Sequence, residues 1–147
     1  MTDAVIVCIP QTPPSVNEMF IQPYGRRRRC LTPKYRQFKE IVAQVVNGAK
    51  VPQEWKFYKV DFIITHKARY VFDVDNFNKA TFDALTACGF WPDDSYIADL
   101  RNRCTVPNKD APQTTLIIRQ AAAKFLTTAE FNDLVFRSPF VIGDNRQ

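Results

Sequence analysis

Two aspartates two residues apart, Asp73 and Asp75, followed by Asn76 and Lys79, make the densest concentration of reactive groups in this sequence. In an extended segment, side chains at i and i+2 project to one face, so both carboxylates can reach a single ion. Carboxylates that close repel unless a cation stands between them or one takes a proton. Their hard oxygens suit a divalent ion, and Mg2+ takes one or two carboxylates while keeping water and substrate phosphate. Lys79 has two readings. It is either half of an exposed i, i+4 pair with Asp83, or a cation that stabilises charge on a phosphate in the transition state. Residues 72–99 hold six of the fifteen acids of the chain and one base, although the net charge of the chain is +5. Acid gathered inside a basic protein points to a cation site set in a surface built for a polyanion. Enzymes acting on small phosphorylated or glycosyl substrates also use a D-x-D pair, so that class stays open.

The elements that must position these groups follow from periodicity. Asn76 is placed to cap a helix whose apolar stripe is Phe77, Ala80, Thr81, Ala84, Leu85 and Cys88. Gly89 supplies its left-handed stop, and the chain turns back through Pro92, Asp93 and Asp94. Upstream, Trp55 to Thr65 alternates as a strand, with Phe57, Lys59, Asp61 and Ile63 on one side and Tyr58, Val60, Phe62 and Ile64 on the other. Residues 4–9 read as a short buried strand ended by Pro10. A proline-rich loop follows, offering Ser15 and Asn17. Arg26, Arg27, Arg28 and Arg29 repel one another and cannot all pack inward. A solvated run is the ordinary case, but the flanking aromatic and the basic helix beyond it favour phosphate contact. That helix starts with Thr32 as cap and Pro33 in the first position. Lys34, Arg36 and Lys39 crowd its first turns against the helix dipole, which suggests anions nearby. Residues 97–106 and 114–119 read as two antiparallel strands joined across residues 107–112, and Thr127 with Glu130 forms a capping box for a last short helix.

A chain of 147 residues is expected to form one domain with a real core. Its four cysteines, Cys8, Cys30, Cys88 and Cys104, have no metal-site spacing and read as reduced, mostly buried thiols. His66 stands alone at a strand end and reads as a surface residue rather than a general base. Nothing approaches the ~18 consecutive apolar residues of a membrane span, so a soluble cytoplasmic protein is expected.

The string D-V-D-N-F-N-K-A-T-F-D-A-L-T-A-C-G-F-W-P-D-D closely resembles the central motif of the RusA family of Holliday-junction resolvases. Pro13-Pro14-Ser15 with Asn17, and Tyr35-Arg36, resemble its N-terminal segment and first helix. Together with the elements above, this predicts an α+β fold, a mixed sheet of about four strands with two principal helices. The catalytic domain would span residues 1–120, and residues 121–147 would be an extension ending in a loose tail. The resemblance implies a homodimeric endonuclease, dependent on Mg2+ or Mn2+ and needing no small-molecule cofactor, that binds a four-way DNA junction and nicks two strands symmetrically. Carried over by position, Asp73, Asp75 and Asp94 bind the metal, Lys79 is the catalytic lysine, and Asp93 is either a turn residue or one that supports a ligand from behind. Asn17, Arg26, Arg27, Arg28, Arg29, Lys34, Arg36, Lys67, Arg69 and Asn76 make up the expected DNA surface. One departure stands out: Tyr70, Val71 and Phe72 occupy positions where family members carry arginines, so part of that surface is expected to shift toward residues 26–29. The alternatives are a junction binder that has lost catalysis, and a small-molecule phosphatase or glycosyltransferase.

Overall fold

The computed structural model describes residues 3–68 and 72–137. Strand β1 (Val5–Ile9) is followed by a small hairpin of β2 (Phe20–Ile21) and β3 (Cys30–Leu31), then helix α1 (Pro33–Val46) and strand β4 (Phe57–Thr65). A 3-10 turn (Val74–Phe77) leads into α2 (Asn78–Ala87), and a second (Asp94–Tyr96) into β5 (Ile97–Cys104). Strand β6 (Gln113–Ala121) and helix α3 (Thr128–Phe136) complete the chain. The main sheet has the order β1-β6-β4-β5, with β5 parallel to β4 and the other pairs antiparallel. The fold is α+β with a mixed four-stranded sheet, as the sequence predicts.

The start and stop signals of the first helix hold. Thr32 Oγ1 accepts from the Tyr35 N–H at 3.2 Å, Pro33 opens α1, and Asn47 (φ 49°) then Gly48 (φ 77°) close it in left-handed conformations. Tyr35, Phe38, Val42 and Val46 are its buried stripe. They meet Ala80, Thr81, Ala84 and Leu85 of α2 over the β4 residues Tyr58, Val60, Phe62 and Ile64. Burying side chains of this size contributes roughly 1.5–3 kcal/mol each. Both helices lie on one side of the sheet, so the alternate residues of β4 face the other way, as expected.

Three expectations need correction. Strands β5 and β6 are not neighbours, because β4 lies between them. The chain leaves β4, crosses through α2 and returns parallel to it, a connection that strand periodicity cannot distinguish from a hairpin. The first strand is an edge with one wet face, and Ile6 is 62% exposed. Cys8 and Cys104 are exposed, Cys30 and Cys88 half-buried, and all four are free: three of them sit on strands whose outer residues meet water. Among the described residues, no helix is long and apolar enough to cross a membrane.

Candidate functional site

Strand β4 delivers the chain to the site. His66, at its end, is buried rather than exposed; Nδ1 accepts from the Ala68 N–H at 3.1 Å, and the ring lies 5.2 Å from Phe72. Asp73 follows in extended conformation (φ −78°, ψ 108°), and the chain tightens into the 3-10 turn, where the Asn76 N–H donates to the Asp73 carbonyl at 3.1 Å. The expected cap at Asn76 is therefore displaced. Asn76 sits inside the turn, α2 proper begins at Asn78, and the Asn76 side-chain amide reaches back to Asp73 Oδ2 at 3.5 Å. Asp73 and Asp75 are both exposed.

The 3-10 turn and α2 form one helical run, so Asp75, Lys79 and Asp83, four residues apart, share its solvent-facing side. Lys79 Nζ lies 3.0 Å from Asp83 Oδ2. Asp94 arrives from the turn after α2. That turn is held by Trp91, whose indole N–H donates to Thr86 Oγ1 at 2.9 Å and whose ring stacks on Tyr58 at 5.7 Å. Burial first, then the adjoining Asp93 and the charge of Asp83, raise the Asp94 carboxyl above its ordinary value, while Lys79 opposes the rise. Asp93 moves the other way, lowered by a hydrogen bond from Asp94 and by the Ser95 backbone. On α1, burial and the nearby Asp83 push the Tyr35 hydroxyl up to about 12, so it stays neutral.

The acids thus form two groups, with Lys79 between them along the helix. Asp73 and Asp75 lie at the start of the run; Asp83, Asp93 and Asp94 lie further along. Among the described residues, no three His, Cys, Asp or Glu side chains converge on a point where a metal ion would sit. The first group alone offers two hard-oxygen carboxylates, enough for an ion that keeps most of its water. The Asn78 N–H donates to the Asp75 carbonyl, and its side-chain oxygen is buried with no hydrogen-bond partner. The two carboxylates fit a hydrated divalent cation.

Beside Asp73 opens a cavity of about 560 Å3, whose walls include Ser15, Glu18, Lys34, Lys67, Asp73 and Asn76. Four residues expected at the site therefore line one cavity: Lys34, Lys67, Asp73 and Asn76. Asn17 is exposed in the neighbouring 3-10 turn, and Arg36 is exposed on the first turn of α1. Arg26, Arg27, Arg28 and Arg29 are exposed in the loop of the β2–β3 hairpin and do not line the cavity. Arg69 lies outside the described residues.

Sequence reasoning passes over Glu18. Its carboxylate accepts from the Ser15 N–H and from Lys34 Nζ, both at 2.9 Å, so it holds Lys34 at the rim. Ser15-x-x-Glu18 is a capping-box pattern, a signal present in the sequence and masked there by the two prolines before it.

The sequence that builds this site matches known proteins. A profile of the family Endodeoxyribonuclease RusA matches residues 10–119, and the chain belongs to that family. It is 31% identical over 90 residues to a crossover junction endodeoxyribonuclease from Enterobacteria phage 82, covering 60% of this chain and 73% of that one. The same identity and coverage relate it to the crossover junction endodeoxyribonuclease RusA of Escherichia coli (strain K12). A 29-residue segment is 59% identical to the RusA protein of Shigella sonnei (strain Ss046), 20% of this chain and 24% of that one.

Proposed function

We propose that this chain is a divalent-metal-dependent, structure-selective endodeoxyribonuclease that resolves four-way DNA junctions by paired symmetric nicks. It acts as a homodimer in the cytoplasm, with residues 1–120 as the catalytic domain and 121–147 as an extension. The observation that carries this reading is the cavity lined together by Asp73, Asn76, Lys34 and Lys67, one helical turn from Lys79, in a chain of this family. Acids for a cation and bases for a phosphate backbone border the same cavity. The small-molecule alternative leaves these bases and residues 26–29 without a role.

In this reading Asp73 and Asp75 hold the cation, Mg2+ or Mn2+; Asp94, the third ligand implied by its place in the motif, lies in the second group and would have to close toward them to join. When bound, the cation supplies charge neutralisation at the phosphodiester and lowers the pKa of its water. Asn76 steadies Asp73 through its amide. Lys34 and Lys67 seat the backbone at the cavity rim, where contact is largely independent of sequence. Asp83 keeps Lys79 extended along the helix until a phosphate oxygen competes for Nζ, and Lys79 then stabilises the charge that grows on that phosphate. Paired nicks follow from two sites related by a two-fold axis, each facing one strand.

The test is nicking of a labelled four-way junction in Mg2+ against a matched linear duplex, for the wild type and for Asp75→Asn. The substitution should abolish nicking yet keep or tighten junction binding measured in Ca2+, because it removes a metal-binding charge and a repulsion toward phosphate together. Substantial nicking by Asp75→Asn would remove Asp75 from the ligand set. Absence of nicking by the wild type would leave the junction-binding alternative.

A further inference from the structure

The face of the sheet turned away from the helices carries a second set of charges that the site does not use. On β4 it shows Lys59, Asp61 and Ile63; their neighbours on β5 are Asp99, Arg101 and Arg103, and on β6 Arg119, Ile117 and Thr115. A concavity of about 270 Å3 opens there, lined by Lys59, Asp61, Asp99, Arg101 and Arg119. Asp61 is shared between two guanidiniums, at 3.4 Å from both Arg103 and Arg119. Lys59 and Arg119 stand directly opposite each other across the β4–β6 pair. Like charges in that position are destabilising unless an anion lies near. The four bases of this patch outnumber its two acids, and one carboxylate cannot satisfy both arginines fully.

We propose that this open sheet face is a second DNA-binding surface, whose occupant is the phosphate backbone of a duplex arm. The inference rests on the junction-resolving reading above for the identity of the nucleic acid. Cations on adjacent strands stand about 5 Å apart, so neighbouring ones can reach successive backbone phosphates. The solvent-facing stripe of Asp75, Lys79 and Asp83 lies on the other side of the molecule, with the helix layer and the sheet between. The two surfaces therefore touch different phosphates, and their contributions to binding add. A second copy of the chain fits this face poorly. Protein interfaces are depleted of charge at their centres, whereas this one would press exposed Lys59, Arg101 and Arg103 against their own copies.

The decisive variant is Lys59→Gln/Arg101→Gln, which leaves both ion pairs of Asp61 in place. Junction binding is measured in Ca2+ across a salt series, with wild-type nicking in Mg2+ run alongside. The expected result is a junction affinity lower by about tenfold and a log–log salt slope reduced by about 2. The nicking rate on saturating junction and the mass by light scattering should stay unchanged. If the double variant does not fold, Lys59→Gln and Arg101→Gln singly should each reduce the slope by about 1. Unchanged affinity and slope would overturn the proposal, and so would conversion of a dimer to a monomer, which would make the face an interface between copies. A reduced slope in a wild-type background that does not nick would sustain this surface and remove the nuclease reading. Failure of the wild type to bind DNA at all would remove both.

Discussion

At the scale of single residues, Lys79 decides between a structural and a chemical reading of the helix. Its side chain is 56% exposed, and the pair with Asp83 at 3.0 Å has the i, i+4 geometry that contributes a few tenths of a kcal/mol. A lysine kept only for that pair could be lost without effect on chemistry. Yet it stands one turn beyond Asp75 on the same face, and the charge of Asp94 reaches it. Lys79→Ala should therefore cost under about 0.5 kcal/mol of stability, seen as a small shift in the denaturant midpoint. Single-turnover nicking of saturating junction should fall by roughly 10²–10³-fold, the scale of losing one preorganised electrostatic donor. Junction affinity in Ca2+ should change much less, since the interaction is strongest in the transition state. A rate within about threefold of wild type would return Lys79 to the surface-pair reading.

At the scale of elements, the cavity exists because the proline-rich loop is tied to the start of α1. Thr32 Oγ1 donates to the Glu18 carbonyl at 2.6 Å, and the Thr32 N–H to the Met19 carbonyl at 3.0 Å. Glu18 closes the arrangement through Ser15 and Lys34. Hydrogen bonds from Lys34, then from the Ser15 backbone, hold its carboxyl below the ordinary value of 4.5. A depressed acid stabilises the fold above its unfolded pKa, and that contribution is lost as pH falls through the folded value. The Ser15 amide resonance should therefore titrate with a midpoint below pH 4.5, and Glu18→Gln should abolish that titration. A Ser15 signal that ignores pH in the wild type would mean that the loop is held some other way. This tie was only half legible in sequence. Thr32 and Pro33 mark the helix start by local chemistry, whereas the bond from Lys34 to Glu18 spans sixteen residues and needs the hairpin to close. The same limit hid the crossover to β5: alternation tells which side of a strand is wet, but not which strand lies beside it.

At the scale of the whole molecule, the net charge of +5 becomes informative once the fold distributes it. The lysine and the apolar stripe of α2 were readable because they sit within one helical run, where spacing fixes direction, whereas the acid pair, expected in one extended segment, straddles the start of the 3-10 turn. Two features depended on tertiary structure: the division of the acids into two groups, and the pairing of the cavity wall from the loop, α1 and the segment after β4. The hairpin carrying residues 26–29 is rooted beside that cavity, because β3 runs directly into the cap of α1 at Thr32. Its four exposed arginines do not line the cavity, but from that root they should meet the backbone entering the site rather than the arm on the open sheet face. Replacing all four with alanine should weaken binding to junction and linear duplex alike. The magnitude of the log–log salt slope should fall by up to about 3–4 units if every arginine touches a phosphate. Stability should hardly change, since like charges in an exposed loop contribute no packing. Fluorescence anisotropy across a salt series reads both quantities. A loss confined to the junction would make these arginines readers of its shape, and an unchanged slope would make the loop a solvated one with no part in binding.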